Sequence, residues 1–176
     1  RLSNHTWGSF SRMQFVYHTT LTQPVFQIFS GPWLFQSCDV RCAVGICMSV
    51  LYNGVADIRR CSLGGTGRDF SVDMSQPAVA WVACDVDGNG NLAMSESLVE
   101  DCGWHGGAGL HFGQEATGLL RDCRIVRCRT AVFLAHFCNV SLQGCVLKHN
   151  VHGAFVSMCY WMPSETPEGY EEQVWE

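Results

Sequence analysis

Residues 120–128 read Leu-Arg-Asp-Cys-Arg-Ile-Val-Arg-Cys, and residues 142–150 repeat the pattern as Leu-Gln-Gly-Cys-Val-Leu-Lys-His-Asn. Each copy begins with an apolar residue, position zero. A small or sulfur-bearing residue follows at position three, an apolar residue at position five, and a small or polar residue at position eight. The spacing recurs six times, in copies that start at Phe10, Phe35, Ile58, Met94, Leu120 and Leu142. Such self-similarity at a period of roughly 20–30 residues predicts a solenoid of stacked coils.

Every copy is followed by a second short apolar run, at residues 25–28, 45–48, 79–82, 109–112, 131–134 and 153–156. Alternation along a strand predicts that the second and fourth residues of each run point inward and the third points outward. The runs are too short for helices, and no segment sustains a 3.6-residue period. The sequence therefore predicts an all-β chain whose short strands stack coil on coil as a parallel β-helix.

The stretch Leu119–Ile125, followed by Ala131–Leu134, resembles the right-handed β-helix repeat of pectin-lyase-like proteins. The repeats closest in style are the carbohydrate-binding and sugar-hydrolase type, as in F-box β-helix proteins and polysaccharide epimerases. Those repeats often place Asn at the turns where this chain has Cys, and here only Asn150 stands at position eight. The resemblance covers about residues 8–159 and implies a right-handed, single-stranded parallel β-helix of about six coils. It leaves function open, because that fold hosts lyases, epimerases, hydrolases and scaffolds.

Charge and hydropathy exclude two classes of partner. The net charge is −5, and no basic cluster is longer than the pair Arg59-Arg60, which argues against nucleic acid. The longest fully apolar run, 78–84, is too short to span a membrane. Peripheral contact with a membrane complex stays open.

The chain is rich in cysteine, with 11 in 176 residues. Most of them fall on repeat positions, which predicts reduced side chains stacked in the interior, where free cysteine packs as a small hydrophobe. A thiol-rich interior is typical of a reducing compartment, either the cytosol or an organelle interior. The sequence starts at Arg1 rather than Met, so a targeting segment can be missing from it.

The third residues of the second runs predict an outward column of Gln27, Cys47, Trp81, His111, Phe133 and Phe155. Adjacent coils lie about 4.8 Å apart, so the last four would form a contiguous aromatic stripe. A contiguous exposed stripe of this kind indicates a contact surface, for a protein subunit or for sugar rings. Coverage by the chain's own loops or tail is the alternative.

The repeat is interrupted by insertions that leave from one corner of neighbouring coils. One lies around 64–77, and another precedes the run at 109–112. They would bring Arg68, Asp69 and Asp73 near Trp104 and His105, and long loops on a rigid scaffold often carry function. Trp104 and His105 therefore join the predicted partner-binding residues.

A calcium-loop pattern occupies residues 85–96. It comprises the candidate ligands Asp85, Asp87, Asn89, Asn91 and Glu96, with Gly90 at the sharp turn. An EF-hand needs a helix on each side of its loop, and here both flanks have strand character. Calcium binding and a plain Asp-Gly/Asn-Gly turn are the two interpretations.

No catalytic cluster emerges from the charged residues. Asp57, Glu100, Asp101 and Asp122 stand at different repeat positions and alternate with arginines, which predicts neutralised surface ladders. Pairs such as Cys102 with His105 lack a third group that would complete a catalytic arrangement.

The sequence therefore predicts a β-helix domain at 1–159 and an irregular acidic tail at 160–176, which caps the solenoid or reaches a partner. Three hypotheses follow. The first is a non-enzymatic scaffold or docking subunit of a larger protein assembly. The second is a carbohydrate-binding or polysaccharide-modifying protein, and the third is a calcium-binding interaction module.

Overall fold

The computed structural model describes residues 7–17, 23–66, 80–103, 107–135 and 137–157, with the backbone alone at 154–157. The first eight strands are β1 Gly8–Ser11, β2 Gln14–Tyr17, β3 Pro24–Gln36, β4 Asp39–Cys42, β5 Ile46–Arg59, β6 Ser62–Gly64, β7 Val82–Asp87 and β8 Asn91–Ser95. The remaining eight are β9 Leu98–Glu100, β10 Ala108–Phe112, β11 Thr117–Arg121, β12 Arg124–Val126, β13 Thr130–Ala135, β14 Asn139–Gln143, β15 Val146–Lys148 and β16 His152–Ser157. All the described regular structure is strand.

The strands form three parallel faces, each six levels high in the described residues. Face A comprises β1, the second parts of β3 and β5, then β8, β11 and β14. Face B comprises β2, β4, β6, β9, β12 and β15. Face C comprises the first parts of β3 and β5, then β7, β10, β13 and β16. The chain visits the faces in the order A, B, C at every level, which confirms the predicted right-handed parallel β-helix.

The repeat positions form continuous columns inside the solenoid. Position zero pairs in register along face A, from Phe10 through Ile58 to Leu142. Position five does the same along face B, from Phe15 to Leu147. The central members of both columns are at most 2% exposed, so the repeat encodes the core.

Position three forms the predicted sulfur column, and its hydrogen bonds explain the residue type. The thiol of Cys61 donates to the carbonyls of Arg59 and Phe35, at 3.3 and 3.4 Å. Cys123 donates in the same way to Arg121 and Met94. Where serine replaces cysteine, Ser97 Oγ donates to the carbonyl of Ser95 at 2.7 Å. Each side chain therefore fills the interior and satisfies the backbone at the corner.

The corner between faces A and B turns through one residue with positive φ, at position two of every copy. These residues are Arg12, Ser37, Arg60, Glu96, Asp122 and Gly144, with φ between 48° and 62°. Five of the six carry side chains, although the left-handed region costs such residues about 1 kcal/mol. The repeated corner geometry overrides local preference. The position-one carbonyl accepts both the position-two N–H of the preceding coil and the position-three thiol, as the Arg59 carbonyl does from Ser37 and Cys61.

The predicted outward column of face C is wrong at two levels. The register places Ser49, not Cys47, beside Gln27, and places Asp85, not Trp81, beside His111. Cys47 is fully buried, with its thiol donating to the carbonyls of Val40 and Gly64. The runs 46–48 and 78–84 are apolar throughout, so they contain no alternation from which to set the phase of the strand.

The described cysteines are all free thiols, and eight of the ten are buried. No helix in the described ranges has the length and apolar character needed to cross a membrane.

Candidate functional site

A column of chemically diverse residues runs in register along face C. Its members are Gln27, Ser49, Asp85, His111 and Phe133, with the Phe155 backbone next in line, and Ser49 is buried. Asp85, His111 and Phe133 occupy three successive levels and are each half-buried. We name these three residues the face C site. Parallel strands space them about 4.8 Å apart, so their side chains act together.

Asp85 and His111 form the polar half of the face C site. Asp85 Oδ1 lies 2.6 Å from His111 Nδ1, and the two side chains are 25% and 32% exposed. With the carboxylate as acceptor, His111 carries its proton on Nδ1, and Nε2 becomes the atom available for a ligand. A carboxylate that orients an imidazole is the arrangement used in recognition and in general acid–base chemistry.

Phe133 forms the apolar half of the site. Its ring centroid lies 5.2 Å from that of His111, with an interplanar angle of 35°. The imidazole therefore sits between a carboxylate on one side and an aromatic ring on the other. Such a strip offers an apolar surface and hydrogen-bonding groups within two coil spacings.

The other predicted partner-binding residues do not join this site. Trp81 stands four residues before Asp85, at the corner where its backbone N–H donates to the Gly45 carbonyl at 2.9 Å. The register places the Phe155 backbone opposite Phe133. Trp104 and His105 lie outside the described residues, as do Arg68, Asp69 and Asp73.

The candidate calcium ligands have separate partners along the described chain. Asp85 belongs to the pair with His111, and Asp87 Oδ1 accepts from the backbone N–H of Gly88 at 2.8 Å. Asn89 lies in the turn with a φ of 64°. Asn91 Nδ2 donates to Thr117 Oγ1 at 2.7 Å, and Glu96 pairs with Arg60 at 2.9 Å. Calcium binding by these residues stays a prediction.

Carboxylates at face B form a neutralised ladder, which includes Glu100 and Asp101 from the four carboxylates that the sequence analysis predicts to be neutralised. Arg41 pairs with Asp39 at 2.6 Å and with Glu100 at 2.9 Å. It reaches Glu100 across the level of Gly64, where a Cβ would lie 1.7 Å from the Glu100 carbonyl oxygen. Glu100 also pairs with Arg127, which pairs with Asp101 at 2.8 Å. The described contacts indicate that this ladder stabilises the fold.

The corner between faces A and B carries an open depression of about 430 Å³, whose lining includes Asp57, Arg59, Arg60, Glu96 and Arg121. Its arginines are already engaged. Arg59 pairs with Asp57, Arg60 with Glu96, and Arg121 donates to Gln143 Oε1 at 3.1 Å. The depression therefore offers less unsatisfied chemistry than the face C site.

Neither a protein-family model, nor a curated protein, nor a solved structure matches this chain. The features that bear on function are consequently the geometry of face C and the residues that the repeat leaves outside the core.

The pairing of Asp85 with His111 escapes sequence reasoning for an identifiable reason. The calcium-loop pattern assigns Asp85 to a turn, whereas the register places it on a strand beside His111. The signal was present in Asp85-Val86-Asp87, whose polar–apolar alternation is the pattern of a half-buried strand. A strand assigned to these three residues has the correct alternation of inward and outward side chains for the third copy.

Proposed function

We propose that this chain is a β-helix docking subunit of a larger protein assembly, which binds a partner subunit through the face C site. The observation that carries the proposal is the outward column in which Asp85, His111 and Phe133 stand in register. Aromatic rings combined with oriented polar groups are the composition of binding hot spots. The partner therefore presents an apolar side chain to Phe133 and a hydrogen-bonding group to His111.

The breaks in the repeat support the same face. In the copy that starts at Leu120, position zero lies 12 residues before Val132, the face C residue that pairs with Leu110. The chain uses 26 residues from Ile58 to Cys84 and 16 from Met94 to Leu110. These longer connections enter the strands that carry Asp85 and His111. Added loops beside an exposed site are typical of recognition surfaces.

The proposal is tested by isolating the native complex with tagged wild-type chain and with matched variants. We expect Phe133→Ala combined with His111→Ala to lose the partner, because both halves of the face C site are removed. Leu119→Ala on face A, half-buried and outward, is the control and is expected to retain it. Retention by the double variant at the wild-type level would refute docking through face C.

A carbohydrate ligand is the second candidate, favoured by the placement of Asp85 and His111 beside the Phe133 ring. A sugar can stack its C–H face on the ring and direct hydroxyl groups to the carboxylate and imidazole. A pectin-lyase-like ancestry of the repeat belongs to this candidate. It includes a polysaccharide-modifying form in which His111 removes a proton, because Asp85 orients the imidazole.

Glycan arrays and polysaccharide-cleavage assays separate this candidate from protein docking. The carbohydrate proposal predicts binding that Phe133→Ala abolishes, or cleavage that His111→Gln abolishes. A full array without binding, together with no cleavage of acidic polysaccharides, removes it. Calcium binding has its own test, since a melting temperature equal in millimolar calcium and in chelator removes that third proposal.

A further inference from the structure

Among the described residues, the last coil leaves interior side chains partly exposed at one end of the solenoid. Leu142 and Leu147 continue the columns of Leu120 and Ile125, which are fully buried, yet each is 37% exposed. Val146 and Val151 on the same coil are 46% and 74% exposed. Within the described residues, β14, β15 and β16 each have a neighbour on one side alone. We name this surface the terminal face.

The terminal face carries no acidic residue. Between residues 137 and 157 the sequence contains Lys148, His149 and His152 and no aspartate or glutamate. All three side chains are exposed in the described structure. The surface therefore combines apolar side chains with a rim that carries the cation Lys148, two histidines and no carboxylate, which favours an acidic and partly aromatic occupant.

The segment that directly follows β16 has the complementary composition. Residues 158–176 contain no lysine, arginine or histidine. Their acidic residues are Glu165, Glu168, Glu171, Glu172 and Glu176. Their aromatic residues are Tyr160, Trp161, Tyr170 and Trp175. At about 3.3 Å per extended residue, the segment is long enough to cross the end of a coil whose face A strand, β14, has 5 residues.

We propose that residues 158–176 fold back over the terminal face as an intramolecular cap. Aromatic side chains of the segment cover Leu142, Leu147 and Val151, and its glutamates face the rim at Lys148. A cap of this kind hides apolar column ends and strand edges, which otherwise promote association. This inference goes beyond the proposed function, because it concerns the end of the solenoid and not face C.

Hydrogen exchange on the full-length chain tests the cap. We expect backbone amides in 158–176 to exchange at least tenfold more slowly than in the isolated synthetic peptide, independently of protein concentration. The variant Val151→Asp with Lys148→Glu should remove most of that protection, because it places negative charge against the glutamates. Trp7→Asp is the matched control, since Trp7 is 80% exposed on the first coil, and should leave protection unchanged.

Three results would overturn the cap. One is exchange at the rate of the isolated peptide. Another is protection that the double variant leaves intact. The third is protection that grows with concentration while sedimentation detects a dimer, which would make a second copy of the chain the occupant.

Discussion

Asp85 Oδ1 lies 2.6 Å from His111 Nδ1 on the outer surface of face C, one coil apart and in register. The pair is 25–32% exposed, so its contribution to folding is small, at most about 1 kcal/mol. Because the pair lies beside Phe133, we expect it to contribute more to the proposed binding than to stability. That distinction yields a direct prediction.

Replacing Asp85 with Asn should leave stability within about 1 kcal/mol of wild type and weaken binding of the native partner about tenfold. The amide no longer fixes the imidazole through a charge-assisted hydrogen bond, so the ring loses its orientation. Urea unfolding measures the first quantity, and titration of the purified partner measures the second. A large loss of stability with unchanged affinity would show that the pair is structural.

The face B ladder should respond in the opposite way. Glu100→Gln removes the charge that holds Arg41 and Arg127, and the Arg41 and Glu100 side chains are only 19% and 15% exposed. We expect a loss of about 2 kcal/mol in the free energy of unfolding. Asp57→Asn is the control, because its partner Arg59 is 56% exposed, and should cost less than about 1 kcal/mol. Equal losses from both variants would refute the ladder as a stabilising feature.

Cysteines on different columns should tolerate serine differently. Cys61→Ser places a hydroxyl where the neighbouring Ser97 already donates to the carbonyl two residues earlier, so we expect a change within about 1 kcal/mol. Cys84 is fully buried and its thiol makes no hydrogen bond to the described residues, so Cys84→Ser should cost about 2 kcal/mol or more. Denaturant unfolding under reducing conditions compares the two. The reverse order would contradict the corner role assigned to the position-three side chain.

Stability should fall as pH rises above 9. Burial raises the pKa of the Cys123 thiol from 9.0 to about 11, and burial also raises the pKa of Cys84 and Cys102. Between pH 9 and 11 the unfolded chain therefore binds fewer protons than the native chain. Each such thiol lowers the free energy of unfolding by up to about 1.4 kcal/mol per pH unit in that window.

The pH prediction is measured by urea unfolding at pH 8, 9 and 10 with reductant present. Cys123→Ser removes one of the titrating groups and should make the slope shallower by the share of one thiol. A slope identical to that of wild type would mean that Cys123 does not contribute to the linkage.

The interior columns were predictable because their residues recur at fixed spacing. Position zero, position three and position five carry Leu120, Cys123 and Ile125 in one copy, and all three are fully buried. The regular spacing of apolar residues indicates which positions are buried, and the repeat shows this spacing six times. The corner at position two was missed, because its residues range from Arg60 to Asp122 and Gly144 and share only a backbone conformation.

The candidate site was predictable only in part. His111 and Phe133 lie on the face C strands β10 and β13, and the repeat spacing placed both on the outward column. Asp85 was missed because an apolar run from Ala78 to Cys84 hides the strand phase, and a one-residue slip reverses the face of every side chain. Loops of different lengths connect the strands of neighbouring coils. A single sequence therefore does not tell which residues of two coils pair.

The most direct test of docking through face C is side-chain footprinting of the chain, free and within its native complex. We predict that radical labelling of His111 and Phe133 falls at least fivefold in the complex, while labelling of Leu119 and Arg121 on face A is unchanged. Unchanged labelling of His111 and Phe133, with protection confined to face A or face B, would contradict the account.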